Sequence, residues 1–76
     1  MKELLTYVAK SLVDHPEQVS VTEQSGGGET ALELRVASED MGKVIGRQGR
    51  IAKWIRVLMR SAGQRQGIRV SVEITD

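Results

Sequence analysis

Lys43, Arg47, Arg50 and Lys53 crowd around two glycines spaced three apart, Gly46 and Gly49, with Gln48 between them. The chemistry open to this set is anion binding rather than bond making. Glycine permits sharp turns and lets another backbone approach with no Cβ in the way. The apolar pair Val44-Ile45 comes just before the turn, and an amphipathic helical pattern starts just after it. A helix N-terminus offers unbonded N–H groups and the positive end of a dipole, both suited to phosphate. Gly46-Arg47-Gln48-Gly49 therefore reads as a tight turn that holds a sugar–phosphate backbone. The glycine spacing alone carries no weight, but a plain connector between two helices has no need of Arg47, Arg50 and Lys53 beside it.

Nothing in the chain assembles a nucleophile with a base. His15 is the lone histidine and stands beside Pro16 at a helix end, a surface position without partners for catalysis or metal. The phosphate-loop pattern with its Lys-Ser/Thr ending is missing, and Gly42, Gly46 and Gly49 do not have the dinucleotide-binding spacing. There is no cysteine, which removes disulfides and thiolate metal sites. The expectation is a binding protein, not an enzyme, with no cofactor and no metal.

The run Ile45-Gly46-Arg47-Gln48-Gly49 resembles the signature turn of the KH family of single-stranded nucleic-acid binders. Gly42, three residues ahead of Ile45, and the Ile51, Ile55, Leu58 spacing behind the turn look like the family too. The likeness covers nearly the whole chain and is strongest to the small bacterial RNA-binding members. It implies one type II KH domain over residues 1–76, in which about four nucleotides lie in a groove. By matching position, Gly46 and Gly49 shape the turn, Arg47 and Gln48 point toward phosphates, and Val44, Ile45 and Ile51 form part of the groove floor; these three also read as at least partly core residues, a role that alone accounts for them. Lys43, Arg50 and Lys53 join the candidate site by charge and proximity, not by family motif. The implied function is binding of single-stranded RNA, as an RNA chaperone or post-transcriptional regulator; single-stranded DNA fits such a groove in principle. Family members of this size often pair with themselves or with another KH protein, which implies a homodimer or heterodimer. The competing reading is a KH-fold interaction module with little nucleic-acid binding.

Charge distribution agrees with an oriented surface. Residues 1–40 carry three basic and eight acidic side chains, whereas residues 41–76 carry eight basic and two acidic ones. The basic half holds the glycine turn, so the acidic half can repel nucleic acid from the other face. Arg56, Arg60, Arg65 and Arg69 read as solvated charges that add only broad steering. With 76 residues the chain allows one domain of thin stability margin, for which dimerisation is one reinforcement. Leu4 to Val13 is amphipathic rather than a signal peptide, and no apolar run approaches the ~20 residues that span a bilayer. No membrane partner is expected, and the default location is the cytoplasm.

The elements that must position the turn follow from periodicity. Leu4, Leu5, Val8, Ala9, Leu12 and Val13 make an apolar stripe on a helix over roughly 2–14, which Pro16 ends. Val19 and Val21 alternate with polar residues as a first strand. Ser25-Gly26-Gly27-Gly28 is a hairpin loop, and Leu32, Leu34 and Val36 form a second strand. Ser38 followed by Glu39 and Asp40 reads as a capping hydroxyl with acids in the first turn of a short helix. A further helix spans about 50–62, with Ile51, Ile55, Leu58 and Ala62 as its apolar seam and Gly63 as its C′ residue. Ile68, Val70, Val72 and Ile74 make the last strand.

The order is α-β-β-α-α-β: a two-layer α/β (α+β) domain with a three-stranded mixed sheet, strand two central, covered by helices on one face. Trp54 leans to one side of the seam with Val57. It reads first as core edge, next as a dimer contact with Val57 or Met59, and last as a stacking surface for a base.

Overall fold

The computed structural model describes residues 1–76, except for the side chain of Arg47, so the sequence-based aim of that side chain toward phosphate lies outside the described residues. The chain runs α1 (Lys2–Leu12), a 3₁₀ turn (Pro16–Gln18), β1 (Ser20–Gly26), β2 (Glu29–Arg35), α2 (Ser38–Ile45), a second 3₁₀ turn (Arg47–Gly49), α3 (Arg50–Arg65) and β3 (Arg69–Thr75). This is the expected α-β-β-α-α-β order.

β2 is central, antiparallel to β1 and parallel to β3. Gly27 and Gly28 both have positive φ, 58° and 79°, which is the backbone of a two-residue primed hairpin turn and matches the twist of the strands it joins. The connection from β2 to β3 passes through α2 and α3, long enough to return the chain parallel. Register pairs Val21 with Leu34, Leu32 with Val72 and Leu34 with Ile74, so the apolar sets share one face. The opposite face carries Thr22, Gln24, Glu33, Ser71 and Glu73, as strict alternation requires.

Leu5, Val8 and Ala9 of α1, Val44 of α2, and Ala52, Ile55 and Met59 of α3 are buried over that apolar face. Burial of a Val, Leu, Ile or Met side chain contributes roughly 1.5–3 kcal/mol, and of an alanine methyl less. The seam of α3 is rotated from the expected one. Ala52, Ile55, Met59 and Gly63 are buried, while Ile51, Leu58 and Ala62 are half-buried flanks. The two small residues, Ala52 and Gly63, let the helix axis approach the sheet, and that turns Met59 inward.

Ser25 and Gly26 belong to β1 rather than to the hairpin loop, and Val19, Val36 and Ile68 fall just outside β1, β2 and β3. The helix ends differ from the sequence reading as well. α1 stops at Leu12 because Val13 is extended, at φ −107° and ψ 162°. Ser38 does not cap α2: Ala37 holds the N-cap position and no side chain bonds the helix end. α3 continues three residues past Ala62, and Gly63 lies inside it rather than at its C′ position. The left-handed residue that follows α3 is Gly67, at φ 72°. No helix among the described residues is long and apolar enough to cross a membrane.

Candidate nucleic-acid interface

The two glycines of the turn are required for different reasons. A Cβ on Gly46 would lie 2.7 Å from the Gly42 carbonyl oxygen and 3.0 Å from that of Lys43, so only glycine lets α2 end this tightly. Gly49 has φ 67°, the left-handed region, and forms the N-cap of α3. Its N–H donates to the Gly46 carbonyl at 2.7 Å and closes the turn. Between them Gln48 also has positive φ, 60°, where a side chain costs about 1–2 kcal/mol. Non-glycine strain of this kind concentrates at binding sites, because the surrounding fold has to enforce it.

The start of α3 is electrostatically one-sided. Its first turn holds no acidic residue, and among the described residues no side chain caps it. Arg50 and Lys53 stand there instead, exposed, where the positive end of the dipole makes cations unfavourable. A helix begun in this way gains from an external anion, which would meet the positive end of the dipole and offset the crowded positive charge. A groove of about 330 Å³ adjoins it, lined by Gly42, Lys43, Gly46, Arg50 and Ile51. The missing side chains of Gly42 and Gly46 open its floor, half-buried Ile51 supplies apolar surface, and Lys43 and Arg50 line it with charge.

The structure therefore brings Lys43, Gly46, Arg50 and Ile51 to one groove. Ile45, 42% exposed, and the exposed Gln48 and Lys53 are not among the residues that line it. For Val44 the core reading holds and the groove-floor reading is corrected. The residue is 1% exposed and belongs to the core, so it supports the groove from below and offers bases no surface. Met59 is a further correction: it is fully buried and can make no contact with a second molecule. Trp54 is not core edge; it is 51% exposed, and Val57, one turn on, is 55% exposed.

Two residues have roles that the sequence reading missed. Asp40 is 1% exposed, and its carboxylate accepts the main-chain N–H of Asp14 at 3.1 Å and of His15 at 3.0 Å. It thus caps the chain end left by α1 and ties it to the first turn of α2. Arg56 is not simply solvated, for its Nε–H donates to the Val72 carbonyl at 3.2 Å on the free edge of β3. Arg56 also borders a hollow of about 380 Å³ on the open sheet face.

Lys43 Nζ lies 2.9 Å from Asp14 Oδ1. The hydrogen bond from Lys43 and its charge hold the Asp14 carboxyl below its usual range, and the same bond raises the Lys43 ammonium above its own. His15 stands between Glu17, at 3.7 Å from Nδ1, and Glu39, at 3.6 Å from Nε2. Among the described residues no group of acidic and histidine side chains is arranged to hold a metal ion.

A three-stranded mixed sheet under three helices, with a glycine-bracketed turn joining α2 to α3, defines a KH domain in the type II order. A family model described as KhpA/KhpB, KH domain matches residues 2–74. The chain is 57% identical over 74 residues to RNA-binding protein KhpA of Clostridium acetobutylicum, an alignment covering 97% of this chain and 99% of that one. It is 48% identical over 75 residues to the protein of the same name from Treponema pallidum, covering 99% and 94%. The chain belongs to the KhpA/KhpB KH-domain family.

Proposed function

We propose that the chain binds single-stranded RNA through its sugar–phosphate backbone, at the junction of α2 and α3. The observation that carries this reading is the uncapped, acid-free start of α3, flanked by Arg50 and Lys53 and opening onto the groove lined by Gly42, Gly46 and Ile51. Phosphates lie along the turn and the first amides of α3, while bases rest against Ile51 and Ile45. Gln48 and the Arg47 position face the strand from the turn. Recognition through backbone contacts fits a broad-range RNA chaperone or post-transcriptional regulator working in the cytoplasm. The relatives named as RNA-binding proteins support RNA over DNA.

Fluorescence anisotropy with a short labelled single-stranded RNA tests the reading. If four to five phosphates are engaged, log K falls with log salt at a slope near −3, at about 0.7 per contact. The double substitution Arg47→Asp with Gln48→Asp should abolish binding and leave the circular dichroism spectrum unchanged. Unaltered affinity in that variant removes the site from the turn. A parallel titration with the DNA of the same sequence decides between the two polymers.

A second reading rests on the exposed pair Trp54 and Val57 on α3. Two large apolar side chains one turn apart are a surface that a second copy, or another KH protein, would cover. Pairing would add avidity to a domain whose single groove buries little area. Sedimentation of the pure protein over a concentration series tests it.

A further inference from the structure

Lys43 lines the groove, yet its ammonium is already engaged by Asp14 at 2.9 Å. The two residues are 29 positions apart in sequence. Asp14 does not hang on a free tail. Its main-chain N–H, and that of His15 next to it, are held by the buried carboxylate of Asp40, on the same helix as Lys43 and one turn before it. A buried acid thus seats an exposed acid beside a groove cation. Both partners are substantially solvent-exposed, 48% for Lys43 and 70% for Asp14, so the pair can exchange with other ions.

We propose that Asp14 is an affinity-setting residue: its carboxylate competes with an RNA phosphate for Lys43 and so weakens RNA binding at this groove. The inference rests on the RNA-binding reading above and adds a regulator to that site. Without RNA, Lys43 lends the groove its aliphatic stem and little net charge, because Asp14 neutralises the ammonium. A phosphate entering beside Gly42 and Gly46 must either displace Asp14 or forgo the contact. The outcome is a grip weak enough to be released, set by one residue outside the groove lining.

The alternative role for the pair is a plain staple between the end of α1 and α2, and the two roles have opposite consequences. Removing a staple loosens the groove wall and weakens binding. Removing a competitor frees Lys43 and strengthens binding. An exposed ion pair is worth about 0.2–1 kcal/mol, so the gain is expected to be between slight and about fivefold.

The test measures binding of a short fluorescein-labelled single-stranded RNA by anisotropy over about 50–200 mM salt, the range where phosphate contacts register. The proteins are the unaltered chain, Asp14→Asn, Lys43→Gln and the double variant. Asp14→Ala is a second check, since asparagine can still accept a bond from Lys43. The expected result is tighter binding by Asp14→Asn and Asp14→Ala at low salt, with a slope steeper by about 0.7, one added phosphate contact. That gain should vanish on the Lys43→Gln background. Equal or weaker binding by both Asp14 variants, when the unaltered chain binds, overturns the proposal and leaves the RNA site standing. A gain that persists without Lys43 also overturns it, because Asp14 would then act through its general field. Binding by none of the proteins overturns the proposal together with the site.

Discussion

Gly63 and Val70 are in contact so close that a Cβ on Gly63 would lie 2.5 Å from Val70 Cγ2, and 2.9 Å from the Ile68 carbonyl oxygen. The Gly63 carbonyl in turn accepts the Ile68 N–H at 2.9 Å. α3 and β3 therefore meet at backbone distance where the chain reverses. Gly63→Ala gains about 1 kcal/mol of helix propensity but overpacks this contact, at a cost of about 1–3 kcal/mol. The expected net is a loss of roughly 1 kcal/mol, seen as a lower urea midpoint at constant m-value. A raised midpoint would mean that Val70 swings aside freely.

Asp40→Ala leaves the Asp14 and His15 amides without their acceptor. A part-buried N–H deprived of a charged partner costs about 1–3 kcal/mol, so with two such groups the variant should lose about 2–6 kcal/mol. Asp40→Asn keeps one acceptor oxygen and should lose about half of that. Thermal melting measures the loss. Faster hydrogen exchange at Asp14 and His15 would place it at this link.

Gln48 sits at φ 60° and Gly49 at φ 67°. Gln48→Gly should relieve about 1 kcal/mol of backbone strain, while Gly49→Ala should add about as much. If Gln48 faces the RNA, the stabilised Gln48→Gly protein also binds more weakly, a trade expected where strain serves binding. A rise in Tm with unaltered affinity would confine Gln48 to a structural role.

The Asp14–Lys43 pair is sensitive to pH at both ends. Asp14 has its carboxyl lowered by the bond from Lys43, so its contribution is present above the ordinary carboxylate range and is lost as pH falls through the lowered value. Lys43 is raised, so its contribution is present below the ordinary lysine range and is lost as pH rises through the raised value. Carboxyl carbon NMR should show Asp14 titrating lower than in the Lys43→Gln variant. Added salt should narrow that gap, since the pair is exposed.

Trp54 is the single tryptophan, and it is half exposed. In dilute solution its emission should be solvent-like and readily quenched by acrylamide. If the Trp54–Val57 face covers a second copy, raising the concentration should blue-shift the emission and protect it. Trp54→Ser should then abolish the dimer while leaving the fold intact. Emission that stays unprotected while sedimentation reports a dimer moves the pairing to another face.

Strands were legible because alternation leaves little freedom: once Leu32 and Leu34 face the helices, Glu33 cannot. The turn was legible because glycines and cations cluster within a few residues. The seam of α3 was only partly so. Ile55 is buried as expected, but Ala52 and Gly63 carry no hydrophobic signal, although their small size is what decides how the helix sits. Ser38 looked like a cap and is not one, since the acceptor that matters near that helix start belongs to Asp40 and serves the end of α1. The exposure of Trp54 was misjudged for the same reason as the seam: a few tens of degrees of helix rotation move it from flank to surface.

Local order was settled by the chain itself: the six elements and a glycine-bracketed, cation-rich bend between two helices. These depend on neighbours a few residues apart, whose sterics and periodicity act before anything folds. Packing alone decided that Asp40 would seat Asp14, that Asp14 would hold Lys43 at the groove, and that Gly63 would touch Val70. Such contacts depend on separations of a few ångströms between distant segments. Only the closing of the core over the sheet sets those separations, and no spacing along the chain encodes them directly.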